Sequence, residues 1–93
     1  MNCEIRDEGG VAVIALSGDI DLKTSPELRA TLLDCVGTKP GVLVDMAAVS
    51  YIDSSGVASL VEAYQSAKRG SISFALVAVS EAAIKLADSL IKG

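Results

Sequence analysis

Two adjacent serines, Ser54 and Ser55, stand between Asp53 and Gly56 near the middle of the chain. That group of residues is suited to three kinds of chemistry. A serine attacks as a nucleophile when a base takes its proton. It accepts a phosphoryl group from another enzyme. It also caps a helix, because its oxygen accepts a backbone N–H that the first turn leaves unpaired. The segment Tyr51-Ile52-Asp53-Ser54-Ser55-Gly56-Val57 falls between a run that reads as a buried strand and one that reads as a helix. The serines therefore sit at a helix N-terminus, where the partial positive charge tolerates an anionic group.

The nucleophile reading lacks a base. The sequence contains no histidine, which removes the commonest general base and the commonest zinc ligand together. None of Lys23, Lys39, Lys68, Lys85 and Lys92 stands at Ser-x-x-Lys spacing from Ser54 or Ser55, the spacing of serine–lysine enzymes. A phosphate-cradling Gly-x-x-x-x-Gly-Lys-Ser/Thr segment is absent. Asp45 and Asp53 match no metal-ligand motif and have no evident third ligand. No enzymatic activity, cofactor or metal is expected. On spacing alone a helix cap is the economical reading, with modification as its rival.

Composition narrows the class further. The 93 residues suffice for one domain, spanning 1–93. About half are apolar, which permits a packed core. The aromatics are only Tyr51, Tyr64 and Phe74, so the core must be aliphatic. Net charge is −4 with scattered basic residues, which argues against nucleic acid, since that wants a basic face. No apolar run approaches the roughly 20 residues of a membrane span, and the N-terminus lacks a signal-peptide plan. A cytoplasmic location without direct membrane insertion is expected. The two cysteines, Cys3 and Cys35, read as reduced, partly buried thiols.

The elements that must position the serines follow from periodicity and punctuation. Residues 3–6 and 11–17 read as strands about the turn Asp7-Glu8-Gly9-Gly10. The continuous apolar run Val11–Leu16 predicts a central strand covered on both faces. Gly18 then offers a sharp exit. A helix over 25–36 places Leu28, Leu32, Cys35 and Val36 on one face. Its start has two registers one residue apart: a capping box of Thr24 with Glu27, or a Ser25 cap before Pro26. Gly37 is expected to end it. A strand over 42–46 follows, and 47–52 connects it to the serines. A helix over 55–69 carries Val57, Leu60, Val61 and Tyr64 as its apolar stripe and stops at Gly70. A strand over 72–79 and a helix over 81–91, capped by Ser80, complete the chain. The fold class is α/β: a small mixed sheet with helices packed against it, the opening hairpin antiparallel and the later pairings parallel.

With these elements in place the chain resembles the STAS domain family, from about Ile5 to Ile91. Four segments carry the resemblance: Leu16-Ser17-Gly18-Asp19-Ile20-Asp21, Thr24 as the cap of the first helix, Val42-Leu43-Val44-Asp45-Met46, and Tyr51-Ile52-Asp53-Ser54-Ser55-Gly56-Val57. The free-standing members are bacterial anti-sigma-factor antagonists. The resemblance implies that an anti-sigma factor, itself a serine kinase, phosphorylates the first serine after the signature acid, here Ser54. It implies that the unphosphorylated form binds that partner and frees a sigma factor, and that a phosphatase resets the switch. The implied partner-facing surface comprises Gly18, Asp19, Asp21, Asp53, Ser54, Ser55 and Gly56. The alternatives are a cytosolic subunit of a lipid-transport ABC complex, or a module of another signalling assembly. Family members commonly continue into a further strand and helix, whereas this sequence stops at Gly93; the expectation is either a minimal member or a chain whose true C-terminus is missing, and an uncovered edge would then favour self-association.

Overall fold

The computed structural model describes residues 1–78 together with Lys85 and Asp88. Four strands form one sheet in the order β1-β2-β3-β4: β1 (Asn2–Glu8), β2 (Val11–Ile20), β3 (Gly41–Ile52) and β4 (Ser73–Val77). Helix α1 (Ser25–Thr38) joins β2 to β3, and α2 (Ser54–Arg69) joins β3 to β4. β1 pairs antiparallel with β2, while β2–β3 and β3–β4 are parallel. This is the mixed α/β architecture expected. The helix expected over 81–91 lies outside the described residues apart from Lys85 and Asp88, both of which are helical.

Both helices pack on one face of the sheet. Right-handed crossovers that step in the same direction along a sheet place their helices on the same side, and here both steps lead away from β1. Ala12, Ile14 and Leu16 of β2 and Val42, Val44 and Met46 of β3 join Leu28, Leu32, Cys35 and Val36 of α1 and Leu60, Ala63 and Ala67 of α2 in one core cluster. The predicted α1 face is thus buried in full. On α2 the stripe differs: Tyr64 is 39% exposed and stands edge-on to Phe74, while Ala63 and Ala67 are buried. Small side chains let the helix lie close to the sheet. Ser25 and Ser59, both buried, bring the two helices together, with Ser59 Oγ donating to the Ser25 carbonyl at 3.4 Å. Cover on both faces is not found among the described residues. On the opposite face Val13 is buried, but Ala75 and Val77 are exposed.

Several boundaries depart from the sequence reading. β3 runs to Ile52 rather than 46, because Ala48–Ile52 continue to pair with Ser17–Ile20 of β2. β2 accordingly runs to Ile20 rather than 17. Its register shifts twice, between Ala15 and Ser17 and between Gly18 and Asp19. Gly18, at φ +82°, is therefore part of an irregularity within the strand and not its exit. β1 spans 2–8 rather than 3–6, and β4 begins at Ser73 rather than 72 and ends at Val77. Gly37 lies inside α1, which is prolonged to Thr38 by Thr38 Oγ1 donating to the Asp34 carbonyl at 2.9 Å. α2 ends as expected at Gly70, but the left-handed residue after it is Ser71, at φ +57°.

The conformation of Gly18 yields a direct expectation. A Cβ there would meet only Met1 backbone atoms at 3.6 Å or more, so space is available. The backbone dihedral alone is costly for an L-residue. Gly18→Ala should lower stability by about 1–2 kcal/mol in urea titrations monitored by far-UV circular dichroism.

Candidate functional site

The irregular end of β2 carries one half of the site to the other. Asp19 lies opposite Tyr51 and Ile20 opposite Ile52. The ladder closes with Asp53 N–H donating to the Ile20 carbonyl at 3.1 Å. The loop that leaves β2 and the turn into α2 therefore stand side by side at the carboxyl ends of two parallel strands, where α/β sheets commonly place their sites. Gly18, Asp19, Asp21, Asp53, Ser54, Ser55 and Gly56 all occupy this end of the sheet.

The turn into α2 is organised by Asp53. It is the N-cap residue, in extended backbone, and its Oδ1 accepts from Gly56 N–H at 3.1 Å. Ser55 Oγ donates to the same oxygen at 2.6 Å. The cap is thus the acid and not a serine, which corrects the sequence reading. Asp and Ser are comparable caps, so spacing alone does not choose between them. The Ser55 hydroxyl and the Gly56 and Ser55 backbone N–H groups, with that of Leu22, hold the Asp53 carboxyl below its ordinary value, although partial burial opposes them. Ser55 is half-buried. Ser54, by contrast, is exposed, and its hydroxyl bonds to no described residue.

Gly56 is buried against the strand ends. A Cβ placed on it would lie 2.6 Å from Ile20 Cγ2 and 2.8 Å from Ile52 Cγ1. Ile20 is itself fully buried and has no room to yield. The missing side chain is what lets the first turn of α2 rest on the ends of β2 and β3.

The second loop has its own lock. Asp21 Oδ1 accepts from Lys23 N–H at 3.0 Å and from Thr24 N–H at 3.1 Å, while Thr24 Oγ1 accepts from Asp21 N–H at 2.9 Å. This is a reciprocal capping box one turn ahead of α1. Thr24 occupies the N-cap position but makes no side-chain cap bond to the helix, and neither predicted register anticipates this arrangement. Asp21 is spent on its own turn. Asp19 is exposed beside Tyr51.

Two residues at this end were not picked out as site residues. Leu22 is 74% exposed and Tyr51 56% exposed. Leu22 belongs to no periodic stripe, which is the signal a sequence offers for an apolar residue outside the core. Tyr51 lines a shallow groove of about 170 Å³ with Met46, Val49, Ile52 and Ala78. Asp45, considered above as a metal ligand, accepts instead from Ala47 N–H at 2.9 Å. Cys35 is buried and Cys3 half-buried, and burial raises the pKa of both thiols, keeping them protonated and poorly nucleophilic. Among the described residues no helix is long and apolar enough to cross a membrane.

Comparison with known proteins sets this geometry in context. The model of the STAS domain family matches residues 2–91. The anti-sigma-F factor antagonist RsfB of Mycobacterium tuberculosis is 38% identical over 76 residues, 80% of this chain and 61% of that protein. The chain thus spans less than two thirds of the length of that relative. The crystal structure of an anti-sigma factor antagonist from Mycobacterium paratuberculosis is similar with a TM-score of 0.74 and 28% identity, over 81% of this chain and 64% of the other. The Bacillus cell fate determinant SpoIIAA in its phosphorylated form has a TM-score of 0.80 at 18% identity, covering 96% and 83% of the two chains. That last likeness concerns the fold.

Two expectations follow from the site. Gly56→Ala gains about 1 kcal/mol or less of helix propensity but overpacks a rigid contact, which costs about 1–3 kcal/mol. Urea denaturation should therefore show a net loss of about 1–2 kcal/mol. For Asp53 the folded pKa lies below the unfolded one, so the native state binds fewer protons and gains stability as pH rises. Its contribution is complete above the ordinary value of 3.8 and is lost as pH falls through the folded value. Between about pH 5 and pH 2 the urea midpoint of Asp53→Asn should fall less than that of the wild type.

Proposed function

This chain belongs to the STAS domain family, and on that premise we propose that it is an anti-sigma factor antagonist switched by phosphorylation of Ser54. The observation that carries the proposal is the division of roles in the α2 turn. Asp53 caps the helix, Ser55 supports the cap, and Ser54 alone presents an unengaged hydroxyl to solvent. The relative RsfB is named as an anti-sigma-F factor antagonist, and the present chain takes the same class of partner in this reading.

The transfer itself uses this chain only as acceptor. The Ser54 oxygen forms a bond to the terminal phosphorus of ATP, the bond from that phosphorus to the bridging oxygen breaks, and ADP leaves. The hydroxyl proton must go to a base on the partner kinase. Asp53 is poorly suited to take it, since its carboxyl is held below the usual range and the sequence supplies no histidine. A phosphatase resets the serine by hydrolysis: water attacks the phosphorus, the bond from phosphorus to the Ser54 oxygen breaks, and inorganic phosphate leaves.

Electrostatics explains why the fold survives while the complex does not. The phosphate adds about −1.5 to −2 charges. At the α2 N-terminus the helix dipole favours that charge by about 0.3–1 kcal/mol. Against a partner the balance reverses. Asp19 and Asp53 already make this end acidic, and a phosphate desolvated there without a cationic mate costs several kcal/mol. Leu22 and Tyr51, exposed on the same end, supply apolar contact area for the unmodified form.

Intact-mass spectrometry of the protein isolated from its own cells should show a one-phosphate shift that Ser54→Ala abolishes; phosphate persisting on that variant would sink the assignment. Ser54→Asp should weaken binding to the cognate anti-sigma factor by roughly two decades or more, equivalent to about 3 kcal/mol. The same variant should leave the urea midpoint unchanged or slightly raised, since an acid in the first helical turn is favourable.

A further inference from the structure

β1 is an open edge. Among the described residues its only strand neighbour is β2, and every residue of it but Cys3 is exposed. Ile5, at its centre, is 51% exposed. An edge strand offers a row of unpaired N–H and C=O groups to any second strand, and proteins usually blunt it with proline, a bulge or charged side chains. β1 has no proline and no bulge, its register with β2 running unbroken from Asn2↔Ser17 to Glu8↔Val11, and its charges are of both signs, Glu4, Asp7 and Glu8 with Arg6, so they oppose some pairings and favour others.

The turn fixes which backbone groups face outward. Gly9 and Gly10 both take positive φ, +62° and +89°, as a two-residue type I′ turn requires. In such a hairpin the closing pair, Glu8 with Val11, exchanges both hydrogen bonds, and bonded pairs then alternate along the ladder. Asn2, Glu4, Arg6 and Glu8 direct their backbone groups to β2. Cys3, Ile5 and Asp7 direct theirs outward. The Asp7 carboxylate is already held within its own chain, by Lys39 Nζ at 2.8 Å and Gly10 N–H at 3.0 Å.

We propose that β1 pairs antiparallel with β1 of a second copy about a two-fold axis at Ile5, joining the two sheets into one. The charges select this register. With Ile5 opposite Ile5, Glu4 of each copy faces Arg6 of the other, in the non-hydrogen-bonded pairs where side chains approach most closely. Centring the axis on Glu4 sets Glu4 against Glu4. Centring it on Arg6 sets Arg6 against Arg6 and Glu4 against Glu8. Both juxtapose like charges, which is destabilising. A centre at Cys3 or Asp7 leaves much of the strand unpaired. The interface is isologous and closes on itself, so it ends at a dimer.

Sedimentation equilibrium at low salt tests the register. The wild type should dimerise reversibly. Glu4→Arg and Arg6→Glu should each weaken the dimer roughly tenfold or more. An equimolar mixture of these two variants should associate again, because the arginine of E4R then faces the glutamate of R6E at both pairs. The double variant E4R/R6E should likewise recover. Ile5→Pro, which removes an outward N–H and no bond to β2, should be monomeric with an unchanged far-UV spectrum. A wild type that stays monomeric up to about 1 mM, or single variants that associate as it does, would overturn the proposal, as would a mixture no tighter than its components.

Discussion

The contact of the Gly56 backbone with Ile20 and Ile52 sets where everything at the candidate site stands. A side chain at that position would collide with both isoleucines, so the first turn of α2 can approach the strand ends only without one. Given that approach, Asp53 N–H reaches the Ile20 carbonyl and the Asp53 carboxylate turns inward to Gly56 N–H and Ser55. Ser54, first residue of the helix, is left pointing at water. Two segments more than 30 residues apart in sequence are joined through one glycine, one carbonyl and one acid. The substitution-intolerant part of the site is therefore its floor, and the exposed Ser54 hydroxyl stands above it.

Having the acid as the cap separates two tasks that one serine would have to share. If the modified hydroxyl also capped the helix, phosphorylation would remove a cap worth about 1 kcal/mol along with the partner. With Asp53 in that role the helix start is retained whatever Ser54 carries. Repulsion between a phosphate and the nearby acids is screened by water while the site is exposed, and grows when a partner excludes that water. In the proposed switch a phosphate on Ser54 would thus discriminate between free and bound states rather than between folded and unfolded ones.

What the sequence made legible was what periodicity encodes. The α1 face of Leu28, Leu32, Cys35 and Val36 is buried as its spacing predicts, because one helix face against one sheet gives a clean 3.6-residue signal. Strand ends were less legible. Residues 47–52 of β3 and 18–20 of β2 pair chiefly with each other through shifted register, and an irregular pair lacks regular alternation. The lock at the start of α1 was hidden because Thr24, one of the expected caps, bonds back to Asp21 three residues earlier rather than forward into the helix. Continuous apolar strands suggested two covered faces; the common direction of both crossovers puts α1 and α2 on one. Spacing alone favoured a cap at the serines. The resemblance to a family singled out Ser54, and the geometry explains how that serine stays free of the cap.

The same strand order separates the β1 edge from the candidate site. Crossovers β2-α1-β3 and β3-α2-β4 both step away from β1, so neither helix is required to cover the β1 edge. The loops that form the site emerge instead at the carboxyl ends of β2 and β3, along the strands rather than beside them. A strand added at β1 extends the sheet laterally and is separated from β3 by the full width of β1 and β2. Ser54, Tyr51 and Leu22 need not move for it to dock. The proposed edge pairing and the proposed partner binding at the α2 N-terminus would then be independent of each other. A dimer would present two copies of the acidic, serine-bearing end, one on each protomer.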